Sequence, residues 1–206
     1  MNPIFSVIDG IDGAGKGTLI ENLKNNWKWG GLDLFFDPGI SHDEQHKKWQ
    51  NIRNFIKQEE MDPLAETCMF FSMRAQLMSE IEKSLKSNRS CLCDRFSPST
   101  WVYQGYCKKQ LKFIEDFESI FHFREPDVLF LLMAPFDLLT ERLIKRNANI
   151  DKFKSNEGFR RKVYDGYLKY IDKHVSLNKN LHIINTDKTP EEVLKECTNI
   201  IEKHHG

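Results

Sequence analysis

The sequence lacks an excess of charge of either sign, since its 206 residues include 30 Lys and Arg against 30 Asp and Glu. Without net charge there is no overall field to attract nucleic acid or an anionic membrane, and we expect neither as a partner. Uninterrupted apolar runs are short, and none approaches the roughly 20 residues that a transmembrane helix needs. Met1-Asn2-Pro3 leads straight into a β-prone run, so we expect no signal peptide.

Cysteine is scarce, with five residues and no metal-binding spacing. Cys91 and Cys93 alternate within an apolar run, which is typical of packing in a strand. We therefore expect a reduced, cytoplasmic protein. Internal repeats and low-complexity linkers are also lacking, and the length suits a single domain over residues 1–206.

The clearest motif is a glycine-rich turn between an apolar run and a helix-forming segment. The run ends at Asp9, Gly10-x-x-x-x-Gly15-Lys16 follows, and helical character begins at Leu19. In this context the motif predicts a phosphate-binding loop (P-loop): glycines let backbone N–H groups converge on a phosphate, and the helix N-terminus adds partial positive charge. The predicted ATP-binding residues are Gly10, Asp12, Gly13, Ala14, Gly15, Lys16, Gly17 and Thr18.

Gly17 stands where the strict motif has Ser or Thr directly after the lysine. We expect Lys16 to reach the β- and γ-phosphates of ATP and Thr18 to bind the α-phosphate. Mg²⁺ is then expected to rely on water, phosphate oxygens and nearby carboxylates, with Thr18 as a further candidate ligand.

Strand and helix patterns alternate along the chain. Strands are predicted near residues 5–9, 33–37, 90–94, 126–133 and 181–184, and helices at 19–27, from 41, at 62–86, 136–146 and 158–175, and from 189. This order predicts a doubly wound, five-stranded parallel sheet flanked by helices, with ligands bound beyond the carboxyl ends of the strands. The residues placed on that rim are Asp9, Asp12, Lys16, Asp37, Asp94 and Arg95. Residues 145–157 are polar and weakly patterned, and we interpret them as a mobile lid.

Asp94-Arg95 ends the strand that follows the first long helix. A guanidinium binds phosphate oxygens through a two-pronged fork, so the pair suits a second phosphate group beside Mg²⁺. This favours a small-molecule kinase over a motor ATPase, and the lack of an Asn-Lys-x-Asp segment argues against a GTPase. A switch that uses nucleotide only to change a partner surface stays an alternative.

The segment from Asp94-Arg95 through Thr100 to Tyr103-Gln104 resembles the Asp-Arg-(aromatic)-x-x-Ser-x-x-Ala-Tyr-Gln signature of thymidylate kinases. Upstream, Phe70 to Leu77 is similar to that family's Phe-x-x-x-Arg helix. The resemblance covers nearly the whole chain. It implies the P-loop kinase fold, transfer of the ATP γ-phosphate to dTMP with Mg²⁺, and a homodimer.

The resemblance also implies roles for residues around the acceptor's base. Phe70 would stack on the base, and Arg74, one helical turn later, would donate to the pyrimidine O4. Thr100 and Gln104 would lie near the base edge. Taken alone, Phe70 is more typical of a core aromatic and Arg74 of a solvated helix residue, and their joint spacing with Asp94-Arg95 carries the assignment.

The implied roles around the sugar and phosphates use a second set of residues. Tyr103 would pack against the deoxyribose, Asp12 would accept a hydrogen bond from the 3′-hydroxyl, and Arg95 would grip the acceptor phosphate. Asp9 and Asp94 would stand where Mg²⁺ and its waters are oriented. Independently of the resemblance, we expect Arg142 and Arg146, one turn apart, to swing with the lid toward the transferring group. Lys152 or Lys154 is the alternative source of lid charge.

One departure from the family pattern keeps other acceptors open. Phe36-Asp37-Pro38-Gly39 stands where the family usually has Arg-Glu-Pro-Gly. Asp37 could instead be the base that activates the 5′-hydroxyl in a deoxynucleoside kinase. Arg74 should reject a cytosine amino group, whereas dUMP and 5-modified dUMP remain candidate acceptors beside dTMP.

Overall fold

The computed structural model of the chain describes residues 2–37, 47–146 and 157–205. It contains one sheet of five parallel strands in the order β2-β3-β1-β4-β5. The strands are β1 (Phe5–Gly10), β2 (Gly31–Phe36), β3 (Arg89–Asp94), β4 (Val128–Met133) and β5 (Leu181–Asn185). The predicted sheet is confirmed, and β2 begins two residues before its predicted start.

Helices cover the sheet and form most of the rest of the described chain. They are α1 (Lys16–Asn25), α2 (Lys47–Gln58), α3 (Pro63–Lys86), α4 (Ser97–Thr100), α5 (Leu111–Phe121), α6 (Phe136–Lys145), α7 (Glu157–His174) and α8 (Pro190–His205). α4 continues directly into a π-helical turn, Trp101–Tyr106. Within the described ranges, we find no helix with the length and apolarity needed to cross a bilayer.

Side-chain caps start two of the helices where the sequence predicts them. The carboxylate of Asp62 accepts hydrogen bonds from the backbone N–H of Leu64 at 2.9 Å and of Ala65 at 3.3 Å. At α8, Thr189 and Glu192 each accept from the other's backbone N–H, at 3.3 and 2.9 Å. These bonds satisfy N–H groups that have no partner within the helix.

The central strands are buried on both faces. Every residue of β1 and β4 is buried, which explains why β4 reads as an uninterrupted apolar run. In the register of β1 with β3, Ile8 lies opposite Asp94. Because the two strands end side by side, the chain leaves them at the same edge of the sheet, and the P-loop and Arg95 meet there.

Two predicted features fall partly or wholly outside the described residues. The helical pattern predicted from Ser41 is represented by α2, and residues 38–46 are not described. The predicted lid, 145–157, includes Lys152 and Lys154 within the undescribed range 147–156, so their predicted role stays a prediction.

Candidate active site

The P-loop between β1 and α1 has the backbone conformation that its glycines predict. Gly10 and Gly13 have φ angles of +142° and +90°, in the region that favours glycine. A Cβ at Gly13 would lie 2.8 Å from the carbonyl oxygen of Leu139, and one at Gly10 would collide with the carbonyl oxygen of Leu132. The loop therefore packs against β4 and α6 in a way that excludes larger residues.

Lys16 folds back over the loop that carries it. Its Nζ donates to the carbonyl oxygens of Gly10 at 2.8 Å and Ile11 at 3.1 Å, and lies 3.9 Å from the carboxylate of Asp12. Burial, with the nearby charge of Arg95, lowers the pKa of Lys16 to about 8. A bound polyphosphate would replace the two carbonyl acceptors with negatively charged oxygens.

Asp9 occupies a different environment from the one predicted for a Mg²⁺ ligand. Its Oδ1 accepts from the N–H of Gly10 at 2.6 Å, from Ser99 Oγ at 2.8 Å and from Tyr167 Oη at 2.9 Å. Its Oδ2 accepts from the N–H groups of Phe96 at 2.9 Å and Ser99 at 3.1 Å. Asp9 is fully buried with both oxygens engaged, and its bonds join the start of the P-loop to α4 and α7, while its role toward Mg²⁺ stays a prediction.

The rim of the sheet encloses a cleft of about 230 Å³ beside the P-loop. The charged residues that line it are Asp12, Lys16, Asp37, Asp94, Arg95 and Arg146. Burial raises the pKa of Asp94, although Lys16 and Arg95 oppose the shift. Asp94 Oδ1 is buried and has no hydrogen-bond partner among the described residues.

Arg95 has a strained backbone and a well-held side chain. Its φ of +69° lies in the left-handed region, which costs a non-glycine residue on the order of 1 kcal/mol. The guanidinium donates from Nη2 to Asp12 Oδ1 at 2.6 Å and from Nη1 to Ser99 Oγ at 3.0 Å. It also lies 5.6 Å from the ring of Tyr103. These contacts hold Arg95 in the cleft next to Lys16, because Arg95 Nη1 and Lys16 Nζ both donate to the carbonyl oxygen of Gly10.

Arg74 is buried and bound by protein groups, which the sequence does not suggest. It is 2% exposed, its Nε donates to Asp37 Oδ2 at 2.8 Å, and its Nη2 donates to Thr100 Oγ1 at 2.6 Å. Its Nη1 has no hydrogen-bond partner among the described residues and lies 4.0 Å from Glu118 Oε1. Arg74 is thus not a solvated helix residue, and Asp37 is its partner at the edge of the cleft.

Phe70 and Gln104, both predicted to lie near the acceptor's base, are on α3 and on the π-helical turn, respectively. Phe70 is half-buried on α3, one helical turn before Arg74. Gln104 is buried in the π-helical turn, and its Nε2 donates to Glu66 Oε1 at 3.0 Å. Short π-helical insertions of this kind are frequent at functional sites. The sequence analysis missed Glu66, although its spacing of four residues before Phe70 was a usable signal.

A second cleft, of about 220 Å³, lies on the other side of the P-loop. Thr18, Arg142 and Thr186 line it, and Arg146 lines both clefts. Arg142 donates from Nη2 to the carbonyl oxygen of Thr186 at 2.8 Å. Arg142 and Arg146 thus both line the second cleft, and their predicted movement toward the transferring group stays a prediction.

The predicted Mg²⁺ ligands are spread over three environments. Asp94 lines the first cleft, Thr18 lines the second, and Asp9 is engaged below the P-loop. Across residues 2–37, 47–146 and 157–205, no group of three or more His, Cys, Asp or Glu side chains is arranged to hold a metal ion. Of the three, Asp94 lies in the cleft that Lys16 and Arg95 also line, and its buried Oδ1 has no hydrogen-bond partner among the described residues.

Comparison with known proteins agrees with the motifs and the fold. A family model described as thymidylate kinase matches residues 8–197. The thymidylate kinase of Fervidobacterium nodosum is 30% identical over 206 residues, covering 96% of this chain and 98% of the relative. That of Mycoplasma genitalium is 31% identical over 203 residues, covering 93% and 91%.

A solved structure shows the same fold at lower identity. The crystal structure of thymidylate kinase from Ehrlichia chaffeensis superposes with a TM-score of 0.72 at 23% identity, covering 98% of this chain and 100% of that one. The family suggested by the Asp94-Arg95 signature is thus confirmed by a match over most of the chain. The chain belongs to the thymidylate kinase family.

Proposed function

We propose that the chain is a Mg²⁺-dependent dTMP kinase, which transfers the γ-phosphate of ATP to dTMP and yields dTDP and ADP. The observation that carries the proposal is the cleft that Lys16 of the P-loop and Arg95, directly after β3, both line, with Lys16 Nζ and Arg95 Nη1 donating to the carbonyl oxygen of Gly10 at 2.8 and 3.4 Å. A phosphoryl transfer needs two anions held in line and their charge neutralised, and two cations side by side in one cleft supply the neutralising charge.

On the donor side, ATP lies with its phosphates on the P-loop. Lys16 exchanges the carbonyl oxygens of Gly10 and Ile11 for the β- and γ-phosphates. The second cleft, beyond Thr18, takes the nucleoside, and Arg142 forms part of its wall. Arg146 is our candidate for the charge at the transferring group because it lines both clefts.

On the acceptor side, Arg95 binds the phosphate of dTMP in the first cleft. Tyr103, against which the Arg95 guanidinium packs, contacts the deoxyribose. Asp12 accepts from the 3′-hydroxyl, which requires its bond to Arg95 to be shared or released. Phe70 stacks on the base, and Arg74 directs a donor at O4 through the nitrogen that Asp37 and Thr100 do not occupy.

Mg²⁺ is the cofactor that this chemistry implies, and Asp94 is the residue best placed to orient its water ligands. When bound with ATP, the ion neutralises charge on the β- and γ-phosphates. The chain's own contribution is to hold the carboxylate of Asp94 in the cleft that Lys16 also lines. Asp9 supports the loop rather than the ion.

A release assay for ADP tests the proposal, with ATP and Mg²⁺ present and dTMP, dUMP, dCMP, dGMP, AMP and thymidine offered separately. We expect turnover with dTMP and little with dCMP or thymidine. Thymine and uracil differ by one methyl group, which a pocket distinguishes by about 1–3 kcal/mol, so dUMP should turn over measurably. The proposal would be contradicted by ADP release that does not depend on an acceptor. It would also be contradicted if none of the acceptors supported ADP release.

The main alternative is a deoxynucleoside kinase that uses Asp37 as the base for a 5′-hydroxyl. The specific observation in its favour is that Asp37 lines the first cleft and that its buried Oδ1 has no hydrogen-bond partner among the described residues. Against it, Asp37 Oδ2 is engaged by Arg74. Turnover with thymidine and not with dTMP would select the alternative.

The homodimer and the cytoplasmic location stay predictions. The apolar residues Ile120 and Phe121, at the end of α5, are 71% and 51% exposed and are consistent with a covered surface in an oligomer. Light scattering after gel filtration gives the mass in solution. A mass near the 24.3 kDa of one chain would contradict the dimer.

A further inference from the structure

Glu66 lies beside the proposed base site and has been given no function so far. α3 carries Glu66, Phe70 and Arg74 at intervals of four residues, so the three side chains share one face of the helix. The facing segment carries Thr100 and Gln104 at the same interval. Arg74 donates to Thr100 at 2.6 Å, and Gln104 donates to Glu66 at 3.0 Å. Two hydrogen bonds thus link the segments, one on each side of Phe70.

The charge on Glu66 decides which way the amide of Gln104 points. Glu66 is 6% exposed, and its second oxygen accepts a hydrogen bond from the ammonium group of Lys108. An ionised carboxylate accepts hydrogen bonds and donates none. Gln104 must therefore turn its NH₂ group toward Glu66, and its carbonyl oxygen lies on the opposite side of the planar amide.

We propose that Glu66 is a positioning residue for base selection, which holds Gln104 so that its carbonyl oxygen accepts from the N3–H of a thymine or uracil. This inference rests on the proposed function, in which the base of the acceptor stacks on Phe70. The site then reads two atoms: Arg74 supplies a donor for O4, and Gln104 supplies an acceptor for N3–H. Cytosine presents the reverse pattern at both atoms and is mismatched twice.

The variant Glu66→Gln tests this assignment because a glutamine offers both a donor and an acceptor. In this variant the side-chain amide of Gln104 can rotate by half a turn and present its NH₂ group to the base. Cytosine is then rejected less strongly. We expect the ratio of kcat/KM for dTMP over dCMP to fall by at least about tenfold, since a mismatched hydrogen bond can contribute up to about 10⁴-fold in discrimination. The KM for dTMP should rise more than kcat falls.

A second Glu–Gln pair on the same helix provides the matched control. Gln76 Nε2 donates to Glu80 Oε1 at 2.9 Å on the exposed face of α3. The variant Glu80→Gln makes the same chemical change away from the site, and we expect the dTMP to dCMP ratio to stay at the value of the unaltered protein. An equal fall in both variants would overturn the inference.

The variant Gln104→Met removes the amide and separates positioning from folding. It should lower the ratio as Glu66→Gln does, and adding Glu66→Gln to it should have no further effect. If Glu66→Gln does not fold, an unchanged ratio in Gln104→Met alone overturns the inference. An equal loss of kcat/KM for both nucleotides in Glu66→Gln also overturns it, because a purely structural role predicts that result.

The same assays distinguish the inference from the proposed function. If the unaltered protein phosphorylates no pyrimidine monophosphate, the proposed function fails and the inference falls with it. If dTMP is phosphorylated and Glu66→Gln leaves the ratio unmoved, the inference alone fails.

Discussion

Nε of Arg74 lies 2.8 Å from Oδ2 of Asp37, and both side chains are almost completely buried. The bond joins the middle of α3 to the residue that follows β2. It ties two residues that the sequence presents as separate candidates, one for reading a base and one for removing a proton. A buried pair of this kind holds the guanidinium in one orientation. Removing either partner leaves the charge of the other buried and unpaired, which destabilises the protein.

Asp37→Ala should therefore destabilise the protein strongly, because it leaves the charge of Arg74 buried without its partner. We expect a loss of about 3–5 kcal/mol in the free energy of unfolding, measured by urea denaturation without nucleotide. Asp33→Ala is the control: Asp33 lies on β2, which ends directly before Asp37, and accepts from Arg89 at 2.7 Å on the surface, where the loss should be far smaller. Similar losses in both variants would contradict the assignment.

ATP binding should take up a proton at alkaline pH through Lys16. The pKa of this lysine in the free protein is about 8, and phosphate oxygens raise it again in the complex. Below pH 8 the lysine is charged in both states, so no proton is taken up. Above pH 8 the free lysine loses its proton, and ATP affinity should fall by up to about tenfold per pH unit.

Calorimetry of ATP binding at pH 9, in buffers that differ in ionisation enthalpy, measures the proton uptake. We expect close to one proton per ATP at pH 9 and close to none at pH 7. Lys16→Met should abolish the difference. Uptake that is the same at both pH values in the unaltered protein would show that another group titrates.

The variants Asp9→Asn and Asp94→Asn should have different effects, because we propose that Asp9 supports the P-loop and that Asp94 orients the water ligands of Mg²⁺. In Asp9→Asn an NH₂ group replaces one carboxylate oxygen and meets N–H or O–H donors, so we expect a loss of stability on the order of 2–4 kcal/mol. Asp94→Asn should change stability little and raise the Mg²⁺ concentration needed for half-maximal turnover. Thermal unfolding and a Mg²⁺ titration measure the two effects. The reverse result would restore Asp9 as the metal-orienting carboxylate.

Arg142→Ala and Arg146→Ala should affect different kinetic constants. Arg146 lines both clefts, and a transition-state arginine is worth about 10³–10⁵ in rate, so its loss should lower kcat by at least about 100-fold. Arg142 is bound to Thr186 at the wall of the second cleft, and its loss should raise the KM for ATP with a smaller change in kcat. Steady-state kinetics decide the matter. If neither variant loses tenfold in either constant, both assignments are wrong.

Several parts of the site were predictable because their signal is local. Gly10, Gly13 and Lys16 form a motif of short, defined spacing, and their conformations follow from neighbouring backbone sterics. The environment of Asp9 was not predictable in this way, because Tyr167 lies 158 residues further along the chain. Placing Asp9 on the rim was correct as topology, but the rim contains both exposed and enclosed positions.

What the sequence by itself determined was the P-loop, the alternation of strands and helices, the helix caps at Asp62 and Thr189, and the family signature that begins at Asp94-Arg95. Each depends on residues close together in the chain, where periodicity and turn chemistry act directly. Only the tertiary structure decided which charged groups are already paired: Arg74 with Asp37, Arg142 with Thr186. Those partners are brought together by the packing of helices on the sheet. The position of a side chain in the sequence does not predict which distant side chain it will contact in the folded protein.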